Sequence, residues 1–145
     1  MFETILVPVD GSEAAHAALD KAIELQQLCD AELLILSVYR EHNLWKASVT
    51  MVRDDLTRST DPALEEFARE VAERSKEYVQ SKGVDKVRSF YMGGGPARMI
   101  VKFSEDHDAD LIVMGSRGMS DSSRYLLGSV SHKVTSLAQC PVMVI

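Results

Sequence analysis

The chain has 145 residues, 46% of them hydrophobic, with 16 Lys and Arg against 22 Asp and Glu and a formal net charge of −6. That length and apolar share fit one globular domain over residues 1–145, with a sizeable core and no room for a second. The negative charge argues against unspecific contact with nucleic acid or anionic lipid, both of which need a positive field, and no apolar run approaches the roughly 18 residues of a membrane span.

Met1-Phe2-Glu3-Thr4 leads directly into an apolar run, without a basic region and leader-like stretch, which predicts a cytoplasmic protein. Thr4 to Val9 is the first predicted strand, and its exit loop is Pro8-Val9-Asp10-Gly11-Ser12. Ser12 can cap a helix reaching about Cys29, in which Ala15, Ala18, Leu19, Ala22 and Ile23 form one apolar stripe. A second strand follows from Glu32 to Val38. From Tyr39 to Thr60 there is no clear period, although this stretch holds the single tryptophan, Trp45. A mobile lid, a segment ordered by a partner and a short helix are the readings open to it.

Asp61-Pro62 is a good N-cap and N1 pair for a second helix, which carries Leu64, Phe67, Ala68, Val71, Ala72, Tyr78 and Val79 and stops at Gly83. Its aromatics read as packing residues. The third strand, Lys86 to Met92, alternates apolar and polar residues as a strand near a sheet edge does. The third helix follows Gly95-Pro96 and runs through Ile100 and Phe103 to about His107, and the triple glycine Gly93-Gly94-Gly95 before it is expected to add flexibility at the sheet's carboxyl edge. His107 with its acidic neighbours reads as a solvated helix end rather than a metal site, and His16 and His42 read as surface residues. Asp110 to Met114 is the fourth strand. The last helix starts at Gly128 and carries Val130, Val134, Leu137 and Ala138 as far as Pro141, before a fifth strand from Val142 to Ile145. Cys29 and Cys140 have neither CxxC nor metal-ligand spacing, so they are expected to be free thiols, buried or half-buried.

Strands alternating with helices predict a doubly wound α/β domain, a five-stranded parallel sheet with four helices. Right-handed crossovers, with growth reversing after the third strand, give the order 3-2-1-4-5. The crevice between the first and fourth strands is then the switch point, where the exit loops of both would face one ligand.

Met114-Gly115-Ser116-Arg117-Gly118 and Gly128-Ser129-Val130-Ser131 fit the pattern G-x-x-G-x9-G-[S/T], which reads as a phosphate cradle. Glycine lets backbone amides approach an anion closely, Ser129 and Ser131 add hydroxyls, and the helix opened by Gly128 offers its free N–H groups and dipole. Arg117 is the candidate charge partner. Asp10 can accept from a ribose hydroxyl or a base amino group, although Asp-Gly-Ser is also ordinary turn and capping chemistry, and both roles can hold together. A loop of glycines without a ligand remains the plain alternative, because the pattern alone recurs by chance in about one in a few hundred chains.

The opening Ile5 to Ser12, the strand Leu33 to Val38, Gly95-Pro96-Ala97, the run Ala109 to Gly118, and Leu127 to Ser131 before Cys140-Pro141-Val142 together resemble the universal stress proteins, in their ATP-binding subgroup. The fold implied is the adenine nucleotide alpha hydrolase-like, Rossmann-like domain. The ligand implied is ATP, with AMP or ADP as alternatives and magnesium as the ion accompanying a triphosphate. On this resemblance Pro8 and Val38 flank the adenine, Asp10 meets the ribose or base, and Gly115, Arg117, Gly118, Gly128, Ser129 and Ser131 surround the phosphates. Val9, Gly11, Ser12, Met114, Ser116, Met119 and Val130 complete the candidate set. The resemblance also implies a homodimer that pairs Val142 to Ile145 across a twofold axis; the sequence departs from the family's usual pattern in stopping at that strand, with no tail to protect or lengthen the seam.

No Walker-type lysine, nucleophile elbow, CxxC or dinucleotide fingerprint accompanies the cradle, and Asp121 alone could hold a metal-bound water. A regulatory nucleotide-binding protein with at most slow hydrolysis is therefore expected. Nucleotidyl-transfer or ligase chemistry on the same fold, and an interaction protein with an empty cradle, are the alternatives.

Overall fold

A computed structural model of the protein describes residues 1–41, 62–118 and 127–145. The element order is β1 (Thr4–Pro8), α1 (Glu13–Cys29), β2 (Glu32–Tyr39), α2 (Pro62–Ser81), β3 (Val87–Gly93), α3 (Pro96–Asp106), β4 (Leu111–Met114), α4 (Ser129–Leu137) and β5 (Val142–Val144). The sheet order is β3-β2-β1-β4-β5, with every neighbouring pair parallel. Trp45, His42 and the Asp61 cap lie outside the described residues.

Side chains alternate across the sheet and build two cores. Ile5, Val7, Leu33, Ile35, Leu111 and Val113 face one way and meet Ala18, Leu19 and Ala22 of α1 and Val79 of α2. Leu6, Leu34, Leu36, Ile112 and Met114 face the other way and meet Ala97, Ile100 and Phe103 of α3 and Val134 of α4. Because both faces are covered, β1, β2 and β4 are runs of buried apolar residues rather than alternating ones. Leu34, Leu36 and Ile112 have no exposed surface, and each such side chain contributes about 1.5–3 kcal/mol of hydrophobic stabilisation. The strand β3 lies at an edge, in keeping with its alternating sequence.

Asp110, expected to open β4, precedes it and fastens the start of β1 instead. Its carboxylate accepts from the amides of Glu3 at 2.8 Å and Thr4 at 3.1 Å. The aromatics of α2 do not both pack. Phe67 is 49% exposed, because it stands about 100° around the helix from Ala68, which with Ala72 and Val79 faces the sheet. Tyr78 does pack, with its ring 4.6 Å from that of His16 and its hydroxyl donating to Asp20. His107 is half-buried rather than fully solvated, stacked on Phe103 with ring centroids 3.8 Å apart.

Two of the three consecutive glycines stand where a side chain would not fit. At Gly93 an added Cβ would lie 2.8 Å from the Tyr39 ring, and Gly94 sits at φ +141, a conformation side chains disfavour. Both positions therefore call for glycine. Both cysteines are free and half-buried, and burial pushes the Cys140 thiol up, so it stays protonated at neutral pH.

Candidate functional site

A cavity of about 230 Å³ opens at the carboxyl ends of β2, β1 and β4, at the switch point of the sheet. Pro8, Val9, Asp10 and Ser12 line it from β1 and its exit loop, and Val38 lines it from β2. Met114, Gly115, Arg117 and Gly118 line it after β4, and Gly128, Ser129, Val130 and Ser131 at the start of α4. The two glycine segments and the Asp10 loop, distant in sequence, thus meet around one space. Gly11 and Ser116 do not line it, and Met119 and Asp121 lie outside the described residues.

At the β1 exit, Asp10 Oδ1 accepts from the Ser12 amide at 2.9 Å, while Ser12 Oγ accepts from the Ala15 amide at 3.1 Å and caps α1. Gly11 takes φ +86 to make this turn. Asp10 therefore serves the turn with one oxygen and keeps acceptor capacity on its half-buried carboxylate.

The loop after β4 is fixed through Ser116. Its amide donates to the Ile145 carbonyl at 2.9 Å, and its carbonyl accepts from the Gly128 amide at 2.6 Å and from Ser131 Oγ at 2.7 Å. The amides of Ser116 and Gly128 are consequently engaged within the protein. So is the hydroxyl hydrogen of Ser131, a side chain only 2% exposed. Its expected part as a phosphate donor gives way to that of a strut tying α4 to the loop, because the Ser116 carbonyl lies within its reach.

What remains open is the first turn of α4. The helix has no side-chain cap, and its first internal amide bond runs from His132 to the Gly128 carbonyl. The amides of Ser129, Val130 and Ser131 have no acceptor among the described residues. Three aligned donors and the positive end of the helix dipole thus border the cavity, beside the Ser129 hydroxyl and near Arg117. Chemically this end accepts an anion with several oxygens. The opposite end is apolar along Val38 and Leu36 of β2 and Pro96 and Ile100 of α3, with the exposed Arg40 at its mouth.

Five lining residues lay outside the sequence reading: Ala15, Leu36, Arg40, Pro96 and Ile100. The period of two along β2 from Val38 was the available signal for Leu36 and Arg40. Gly115 has a role the pattern did not reveal. A Cβ there would fall 2.7 Å from the Ala14 carbonyl carbon and 2.9 Å from its oxygen, so the glycine lets the β4 exit lie against the start of α1.

A doubly wound domain with an uncapped helix start at its switch point defines a class of small anionic-ligand-binding folds. Comparison with known proteins narrows it. The universal stress protein family profile matches residues 1–145, and the chain belongs to that family. It is similar to universal stress protein YxiE of Bacillus subtilis (strain 168), 38% identical over 148 residues, covering 100% of this chain and 99% of that one. The solved structure of MJ0577 from Methanocaldococcus jannaschii superposes with a TM-score of 0.82 at 33% identity, covering 100% and 96% of the two chains. A universal stress protein in complex with cAMP shares the fold, with a TM-score of 0.74 at 21% identity over 99% and 97%.

Gly115→Ala is expected to destabilise the protein by about 1–3 kcal/mol through overpacking against Ala14. Urea unfolding should show a lower midpoint at an unchanged slope. An unaltered midpoint would mean that the two segments part easily and that the close approach is not required.

Proposed function

We propose that this protein binds ATP, or another adenine nucleotide, in the switch-point cavity and acts as a regulatory stress-response protein. The observation that carries the reading is the row of uncapped amides at Ser129, Val130 and Ser131, facing a cavity whose other end is apolar. Such a cavity suits a ligand that is polyanionic at one end and heterocyclic at the other. In this reading Gly118, Arg117, Ser129 and the α4 amides hold the phosphates, Asp10 accepts from the ribose or base, and Pro8 and Val38 flank the adenine. The donor set fits a phosphate chain, and a magnesium ion would supply further charge neutralisation there. The cAMP complex of a relative gives a precedent for the ligand class in that protein, while the assignment to this chain rests on its own cavity.

Binding rather than turnover is the proposed activity, with hydrolysis at most slow. A ligand that binds only the folded form stabilises it by mass action and needs no chemistry to bias one surface over another. The reading places the protein in the cytoplasm, where free thiols such as Cys29 and Cys140 persist.

We also propose a homodimer through β5. That strand pairs with β4 along one edge, and its other edge meets no strand among the described residues. Val142, Met143 and Val144 are half-buried, and Ile145 is 37% exposed, so a second copy would cover apolar surface as well as unpaired backbone.

Titration calorimetry on the wild type, Ser129→Ala and Ser129→Pro tests the nucleotide site. Proline suits the first helical position, and Gly128 at φ −63 and ψ 162 has the extended backbone that precedes a proline, so the substitution removes one amide donor without breaking α4. The expected result is ATP binding by the wild type and a further loss of about tenfold or more in Ser129→Pro relative to Ser129→Ala. Equal affinity in the two variants would reject the amide row as the phosphate site. For the dimer, sedimentation equilibrium at micromolar concentration should give twice the chain mass, and a monomer mass would contradict the β5 seam.

A further inference from the structure

Residues Leu36, Val38 and Arg40 turn toward the cavity at a period of two along β2 and its extension. Leu36 is buried, Val38 half-buried and Arg40 exposed, so the series runs from the floor of the cavity to its mouth. Tyr39, between the last two, packs its ring against Gly93 instead, which fixes the alternation. Three arginines on the helices and edge strand are paired: Arg69 with Glu66 and Glu73, Arg74 with Glu70, and Arg88 with Glu32. The Arg40 guanidinium has no hydrogen bond or ion pair to any described residue. A chain with a net charge of −6 thus leaves at the mouth of its cavity an arginine with no partner among the described residues.

Arg40 does not stand at the phosphate end. The strand β2 is two places from β4 in the sheet, about 10 Å between their backbones, and it is the exit of β4 that α4 adjoins. A nucleotide with its phosphates at α4 carries its base across β1 to this side. The groups waiting there are the apolar Val38, Pro96 and Ile100, with Arg40 as the one cation among the lining residues of that side. A guanidinium is planar, weakly hydrated and able to stack on a heterocycle while its fork donates to ring nitrogens, and it does this better than an ammonium.

We propose that Arg40 is the base-end specificity residue of the cavity, with its guanidinium covering the outer side of a nucleobase that rests on Val38. This proposal rests on the nucleotide-binding reading and adds the means by which the site distinguishes a nucleotide from a bare polyphosphate. Being exposed, Arg40 can be replaced without disturbing the core.

The test is calorimetric titration of wild type, Arg40→Ala and Arg40→Lys with ATP, adenosine and inorganic tripolyphosphate. Arg40→Ala should weaken ATP and adenosine by a similar factor, about tenfold, while tripolyphosphate stays within about twofold. Arg40→Lys should remain as weak as Arg40→Ala, because it restores charge without a plane. A parallel loss for ATP and tripolyphosphate would make Arg40 a phosphate partner and overturn the proposal. So would unaltered ATP and adenosine binding, or full rescue by lysine. Failure of the wild type to bind ATP or adenosine at all would remove the nucleotide reading itself, and Arg40 with it.

Discussion

The carbonyl of Ser116 is the joint on which the site depends. It accepts from the Gly128 amide and the Ser131 hydroxyl at once, at 2.6 and 2.7 Å, and so holds the first turn of α4 beside the exit of β4. A carbonyl has two lone pairs, and here both are spent on one task. The bond from the Ser116 amide to Ile145 anchors the other side of the same residue to the end of the sheet. With Gly128 and Ser131 tied down in this way, the amides of Ser129, Val130 and Ser131 are left aligned and uncapped. An exposed helix start left without a cap loses on the order of 1 kcal/mol of stability, and a ligand anion can supply the missing acceptor.

The rest of the fold sets where that helix start points. Residues of one parity along β1, β2 and β4 fill the core beneath α3 and α4, and the same parity continues into Pro8 and Val38 at the strand ends and Arg40 just beyond. The cavity is thus the continuation of one core beyond the sheet's carboxyl edge, closed by α3 on the apolar side and α4 on the polar side. Its two-ended character follows from strand order, because β1 lies between β2 and β4 and spaces the ends about two strands apart. Membership of the universal stress protein family agrees with this architecture over the whole of residues 1–145.

Much of this was legible in the sequence. The buried strands announce themselves as short β-branched and leucine-rich runs, and the crossover rules then leave 3-2-1-4-5 as the order. The glycine pattern located the cavity because its residues flank two strand and helix ends that those same rules bring together. What the sequence did not reveal is how each group is spent. Gly115 fits the pattern, yet its missing Cβ accommodates Ala14, about a hundred residues earlier, a contact no local pattern encodes. Ser131 looked like a ligand donor, but its hydrogen goes to a carbonyl fifteen residues away, across a loop whose path is not written in its composition. Phe67 shows the same limit on a helix: apolar residues at helical spacing mark a broad stripe, and packing decides which edge of it reaches the sheet.

The most direct measurement is the response of individual backbone amides to ATP, read by nitrogen-proton NMR of the labelled protein. The account predicts large downfield proton shifts at Ser129, Val130 and Ser131 as a charged acceptor arrives, and much smaller shifts at Ser116 and Gly128, whose amides already donate to protein carbonyls. Saturating ATP that leaves the first three resonances in place would contradict it.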